Sequence, residues 1–93
     1  MNEMYKLAEL LDDADIPYEI VEHWSGTPQV CYPSAGDNCI CDAVCFYGSY
    51  GYQKGLLEIM GLVDVEEVGE SVEGWLTAEE VFQRIRKHYQ EEN

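Results

Sequence analysis

Hydrophobic and polar positions follow two different periods along this chain. Met4, Leu7, Ala8 and Leu11 recur at helical spacing, with Glu3, Glu9, Asp12 and Asp13 mostly outward. That predicts an amphipathic helix, capped by Asn2 and running to about Ala14. Asp15-Ile16-Pro17 ends it, because the residue before a proline is pushed towards extended geometry. From Tyr18 to Trp24 the pattern becomes strand-like, with Tyr18, Ile20 and Trp24 on one parity. Ser25-Gly26-Thr27-Pro28 is turn material. Gln29 to Tyr32 predicts a second short strand closed by Pro33, and Ser34 to Asn38 a second turn. A third strand, Cys39 to Phe46, splits cleanly: Cys39, Cys41, Ala43 and Cys45 point one way, and Ile40, Asp42, Val44 and Phe46 the other. Short turns between consecutive strands favour an antiparallel meander.

Beyond Phe46 the pattern breaks. Tyr47 to Tyr52 is a glycine-punctuated loop with tyrosine at 47, 50 and 52. Leu56 to Met60 predicts a short helix ending at Gly61, with Leu62 folding back onto Leu57 as a glycine C-cap would allow. Val63 to Trp75 fits a loop or a ragged hairpin. The final helix is clearly signalled: Thr77 and Glu80 form a capping box, Leu76 and Val81 a hydrophobic staple, and Val81, Phe82, Ile85 and Tyr89 a buried stripe. Arg84, Arg86, Lys87 and His88 then lie towards the helix C-terminus, where the dipole favours positive charge. The expected fold is a single α+β domain over residues 1–93. It has a three-stranded antiparallel sheet flanked by N- and C-terminal helices, in the order α-β-β-β-(α)-α. The Cys39–Cys45 face of the sheet is expected to meet both helices.

Charge changes this picture more than composition does. The chain carries 19 Asp and Glu against 5 Lys and Arg, a net charge of −14, and Lys54 is the one Lys or Arg between Leu7 and Phe82. Such a chain repels phosphate and anionic membrane and attracts basic surfaces. With 46% hydrophobic and 12% aromatic residues it is not expected to be disordered. No apolar run approaches the roughly 20 residues of a membrane span, and the N-terminus lacks a basic segment leading into an apolar one. A cytoplasmic protein is therefore expected, with thiols or metal ligands favoured over disulfides.

Four constellations bear on chemistry. Cys31, Cys39, Cys41 and Cys45 match zinc in number, but not the C-x2–4-C knuckles of structural sites. Packing as small hydrophobes is the favoured reading of these four, ahead of a metal site or a disulfide. A cysteine–histidine nucleophile would need His23 or His88 beside a thiol, and nothing places either there; His88 reads as exposed at a basic helix end. No phosphate, dinucleotide, zinc-protease or serine-hydrolase motif occurs, so neither an enzyme nor a cofactor is expected. The tyrosine loop has a recognition composition, since each ring offers rigid amphipathic area. Base stacking there would need a basic groove, and Lys54 alone does not make one. The carboxylates fall into two sets: Glu9, Asp12, Asp13, Asp15, Glu19 and Glu22, then Glu58, Asp64, Glu66, Glu67, Glu70, Glu73, Glu79 and Glu80. Solvation explains such charge simply; a continuous acidic face would instead imitate a phosphate backbone.

Three segments resemble small acidic proteins encoded in phages and prophages of Gram-positive bacteria: Leu10-Leu11 with Ile16-Pro17-Tyr18, Gly55 to Gly61, and Gly74 to Phe82. The resemblance covers about a third of the chain. It implies a small accessory protein on a mobile element and brings no activity or site residues with it. The function expected is an acidic protein-binding module that blocks a basic or nucleic-acid-binding host protein, without contacting nucleic acid or membrane itself. Its expected binding residues are Tyr47, Tyr50 and Tyr52 with Glu66, Glu67, Glu70 and Glu73. Two alternatives stand beside it. One is a homodimer assembled through a sheet edge or through Trp24 and Trp75. The other is a zinc-stabilised domain built on the four cysteines.

Overall fold

The computed structural model describes residues 3–22, 24, 26–63 and 72–92. Helix α1 (Glu3–Asp13) is followed by five strands, β1 (Glu19–Glu22), β2 (Pro28–Tyr32), β3 (Cys41–Val44), β4 (Leu57–Met60) and β5 (Val72–Leu76), and then by helix α2 (Ala78–Glu92). The strands form one antiparallel sheet in chain order, β1-β2-β3-β4-β5. Every connection between neighbours is local, so the expected meander is present and longer than expected.

Both helices pack on one face. Met4, Leu7 and Leu11 of α1 and Val81, Phe82 and Ile85 of α2 form one core with Val30, Tyr32, Cys41, Ala43, Leu57 and Ile59 of the sheet. Cross-strand register explains the sidedness. Val30 pairs with Ala43 and Ala43 with Ile59, so these side chains share the helix-facing side. Cys41, Ala43 and Cys45 lie in that core, as their strand parity predicts. Cys39, before the strand begins, is only half-buried.

Three expectations need correction. The sheet has five strands rather than three. The short helix over Leu56–Met60 is strand β4, in which Leu57 and Ile59 are buried while Met60 is exposed. Five residues rich in Leu and Met resemble a helix turn, but so short a helix has no stability of its own, and the slot beside β3 imposes a period of two. Gly61 follows as part of a turn, not as a helix cap, and Leu62 itself sits at φ 57°. Lastly, the stretch from Val63 to Trp75 supplies β5; its residues 64–71 lie outside the described residues, as does the Asn2 cap.

The capping box of α2 is present: Glu80 N–H donates to Thr77 Oγ1 (3.2 Å), and Thr77 N–H donates to Glu80 Oε1 (3.0 Å). A second cap comes from the other helix, where Glu3 Oε1 accepts from Ala78 N–H at 3.0 Å. A carboxylate from α1 thus satisfies a free donor at the N-terminus of α2, where the helix dipole favours it. Among the described residues no helix is long and apolar enough to cross a membrane.

Candidate binding surface at the tyrosine loop

The loop between β3 and β4 is a series of turns that bond to themselves. Ser49 is buried; its Oγ donates to Phe46 O (2.7 Å) and accepts from Phe46 N–H (3.0 Å). Tyr52 N–H donates to Ser49 O, and both Lys54 and Leu56 N–H donate to Gly51 O. Gly55 O then accepts from Glu3 N–H, which ties the loop to α1. Many of the loop's backbone polar groups are thus engaged within the loop itself.

Strand β5 supplies the fourth aromatic. Leu57 pairs with Leu76 and Ile59 with Glu73, so Glu58 alone faces both Gly74 and Trp75. This is a β-bulge, and bulges re-aim a side chain. Trp75 takes φ 62° there, an uncommon conformation for a bulky residue, and its N–H donates to Tyr50 O at 3.2 Å. Close approach of the two segments requires glycine on both sides. A Cβ on Gly74 would overlap Tyr50 Cβ and lie 2.7 Å from Tyr50 O; one on Gly51 would lie 3.0 Å from Trp75 Cα.

The result is a concavity of about 410 Å³ whose aromatic lining is Tyr47, Tyr50, Tyr52 and Trp75. Their exposures are 87%, 61%, 40% and 52%, although rings of this size normally bury most of their surface. Tyr47 and Tyr52 meet edge to face, with centroids 5.9 Å apart. The three tyrosines expected from the sequence are thus brought together. Trp75 was not among them, and its only sequence signal was the preceding glycine inside a strand pattern.

Of the acidic residues expected at the binding surface, Glu73 alone is among the described residues. Glu73 shares the helix-facing side with Ile59, and Arg84 of α2 grips it with two hydrogen bonds of 2.6 and 2.8 Å. Glu66, Glu67 and Glu70 lie outside the described residues. On the sheet face away from the helices, register places Glu19, Asp42 and Glu58 with Val21, Val44 and Met60. All five Lys and Arg fall on α1, α2 or the loop before β4, so the described strands carry none. Glu58 joins this face to the loop, its Oε1 lying 3.5 Å from Tyr50 N. Beside them Trp24, 85% exposed, meets Phe46 edge on at 5.8 Å.

The cysteines are four free thiols. Burial, the largest influence on each, raises their pKa values, and Cys31 and Cys41 are pushed up to about 12. Cys31 and Cys39 share a thiol–thiol hydrogen bond, with Asp42 nearby adding to the upward push. Thiols held neutral in this way are poor nucleophiles at neutral pH. Among the described residues no three His, Cys, Asp or Glu come together to hold a metal ion. His88 differs from its expected exposure: it is half-buried, with Nδ1 sharing a hydrogen bond of 2.8 Å with Tyr32 Oη. His23 lies outside the described residues. No family model, no curated protein and no solved structure matches this chain.

Proposed function

We propose that this chain is an acidic protein-binding module that engages a basic polypeptide through the tyrosine loop and the acidic sheet face beside it. The observation that carries this reading is the cluster of four exposed aromatic rings around one concavity, on a chain of net charge −14. Tyrosine and tryptophan supply contact area at low entropic cost, and the surrounding carboxylates supply attraction and selectivity for positive partners. A nucleic-acid-binding protein is the natural class of target, because its basic groove is built for negative charge. The resemblance to phage proteins would make that target a host protein.

The test is capture from a bacterial lysate at low salt, followed by elution with rising salt. A nucleic-acid-binding protein that is retained, released by salt and displaced by competing DNA is the expected result. Binding that ignores salt would remove the electrostatic basis of the proposal. A second reading, self-assembly, draws on Trp24 and Trp75, both more than half exposed. Light scattering at high protein concentration separates the two, since a monomer there counts against assembly.

A further inference from the structure

We propose that the concavity walled by Tyr47, Tyr50, Tyr52 and Trp75 seats an arginine side chain of the basic partner; this rests on the acidic-module reading and gives it a contact point. Three observations lead to it. The first is preformation. The loop bonds to itself, the Gly51 and Gly74 contacts lock it onto β5, and Trp75 is held at φ 62° with its ring half exposed. A bulky residue kept in a strained conformation at a bulge, with its apolar ring facing solvent, is the kind of local cost that surrounding structure maintains at ligand sites.

The second observation is the chemistry of the walls. No charged side chain lines the concavity, and its four rings present π faces and edges. The face of an aromatic ring is its negative pole and attracts cations within about 6 Å. The Glu58 carboxylate sits at the Tyr50 backbone, while Lys54 lies in the neighbouring turn outside the lining. A nucleobase would also stack on such rings, but its phosphates would meet a chain of net charge −14. A cation meets attraction from both the rings and the surrounding field.

The third is the choice among cations. A guanidinium is planar and weakly hydrated, so it can lie against aromatic faces while keeping its edge donors for a carboxylate such as Glu58. A lysine ammonium is strongly hydrated and would lose more water on entering an aromatic concavity.

The experiment uses the full chain carrying Trp24→Phe, so that indole fluorescence reports Trp75 alone. Two peptides of equal length and charge, one with arginine and one with lysine between glycine and serine spacers, are titrated at low salt. The arginine peptide is expected to bind about tenfold more tightly and to shift the Trp75 signal. The pair Tyr47→Ala and Tyr52→Ala should abolish that preference; both side chains are solvent-facing, so the thermal midpoint should hold and separate lost binding from lost folding. Equal binding of both peptides with Trp75 undisturbed would overturn the arginine seat and leave the acidic module standing. Failure of both peptides to bind at low salt would overturn both.

Discussion

At the residue scale, burial decides what the ionisable side chains do. Cys31 and Cys41 lie almost wholly out of water, where burial disfavours the thiolate form, and Asp42 near both adds charge repulsion. Their pKa values therefore rise to about 12 in the fold, whereas an unfolded thiol titrates near 8.5. Below that unfolded value both states hold the proton and nothing changes. Between about 8.5 and 12 the unfolded chain releases protons that the fold retains, so stability falls as pH rises. Thermal melts across this window should show the fall, on the order of 1 kcal/mol per pH unit for each such thiol. The pair Cys31→Ala and Cys41→Ala should flatten the slope even if it lowers the starting stability. The Glu73–Arg84 ion pair makes a second case. Glu73→Gln leaves the part-buried guanidinium without its carboxylate and should cost about 2 kcal/mol by denaturant unfolding. Combining Glu73→Leu with Arg84→Met should recover most of that loss, because removing both charges leaves none unpaired.

At the element scale, legibility followed length and capping. Helix α2 could be read from Thr77, Glu80 and the stripe Val81, Phe82, Ile85 because each signal is local to one turn or a few. Thr77→Ala should destabilise the protein by about 1 kcal/mol, the usual worth of an N-cap, as measured by urea titration. The Glu3 cap on α2 was not legible, since its partner Ala78 lies 75 residues away. Strand β4 departs from the expected helix for a related reason. Leu57, Glu58, Ile59 and Met60 suit a helix by propensity, and only pairing with β3 and β5 makes them extended. The bulge at Gly74 and Trp75 has no local signature beyond a glycine within a strand pattern. Gly74→Ala should part β5 from the tyrosine loop. The expected readout is a lower thermal midpoint together with increased quenching of tryptophan fluorescence by iodide in a Trp24→Phe background.

At the scale of the whole molecule, the net charge of −14 acts on stability as well as on partners. Carboxylates repel one another in the folded chain, and dissolved salt screens that repulsion within about 10 Å at 0.1 M. The thermal midpoint should therefore rise, on the order of 5 °C, between very low and physiological salt. A midpoint indifferent to salt would mean that the carboxylates are already compensated. The sequence by itself determined the α+β class, the meander over β1 to β3, the face on which Cys41, Ala43 and Cys45 meet the helices, both terminal helices and the excess of negative charge. These rest on side-chain period, on capping residues and on composition, all of which act over a few neighbouring positions or need no geometry. The tertiary structure alone decided that Leu57 to Met60 is a strand, that Glu73 is held by Arg84, that Glu3 caps a distant helix, and that Trp75 joins Tyr47, Tyr50 and Tyr52 around one concavity. Each of these depends on contacts between residues remote in the chain, where hydrogen-bond pairing and packing outweigh local preference.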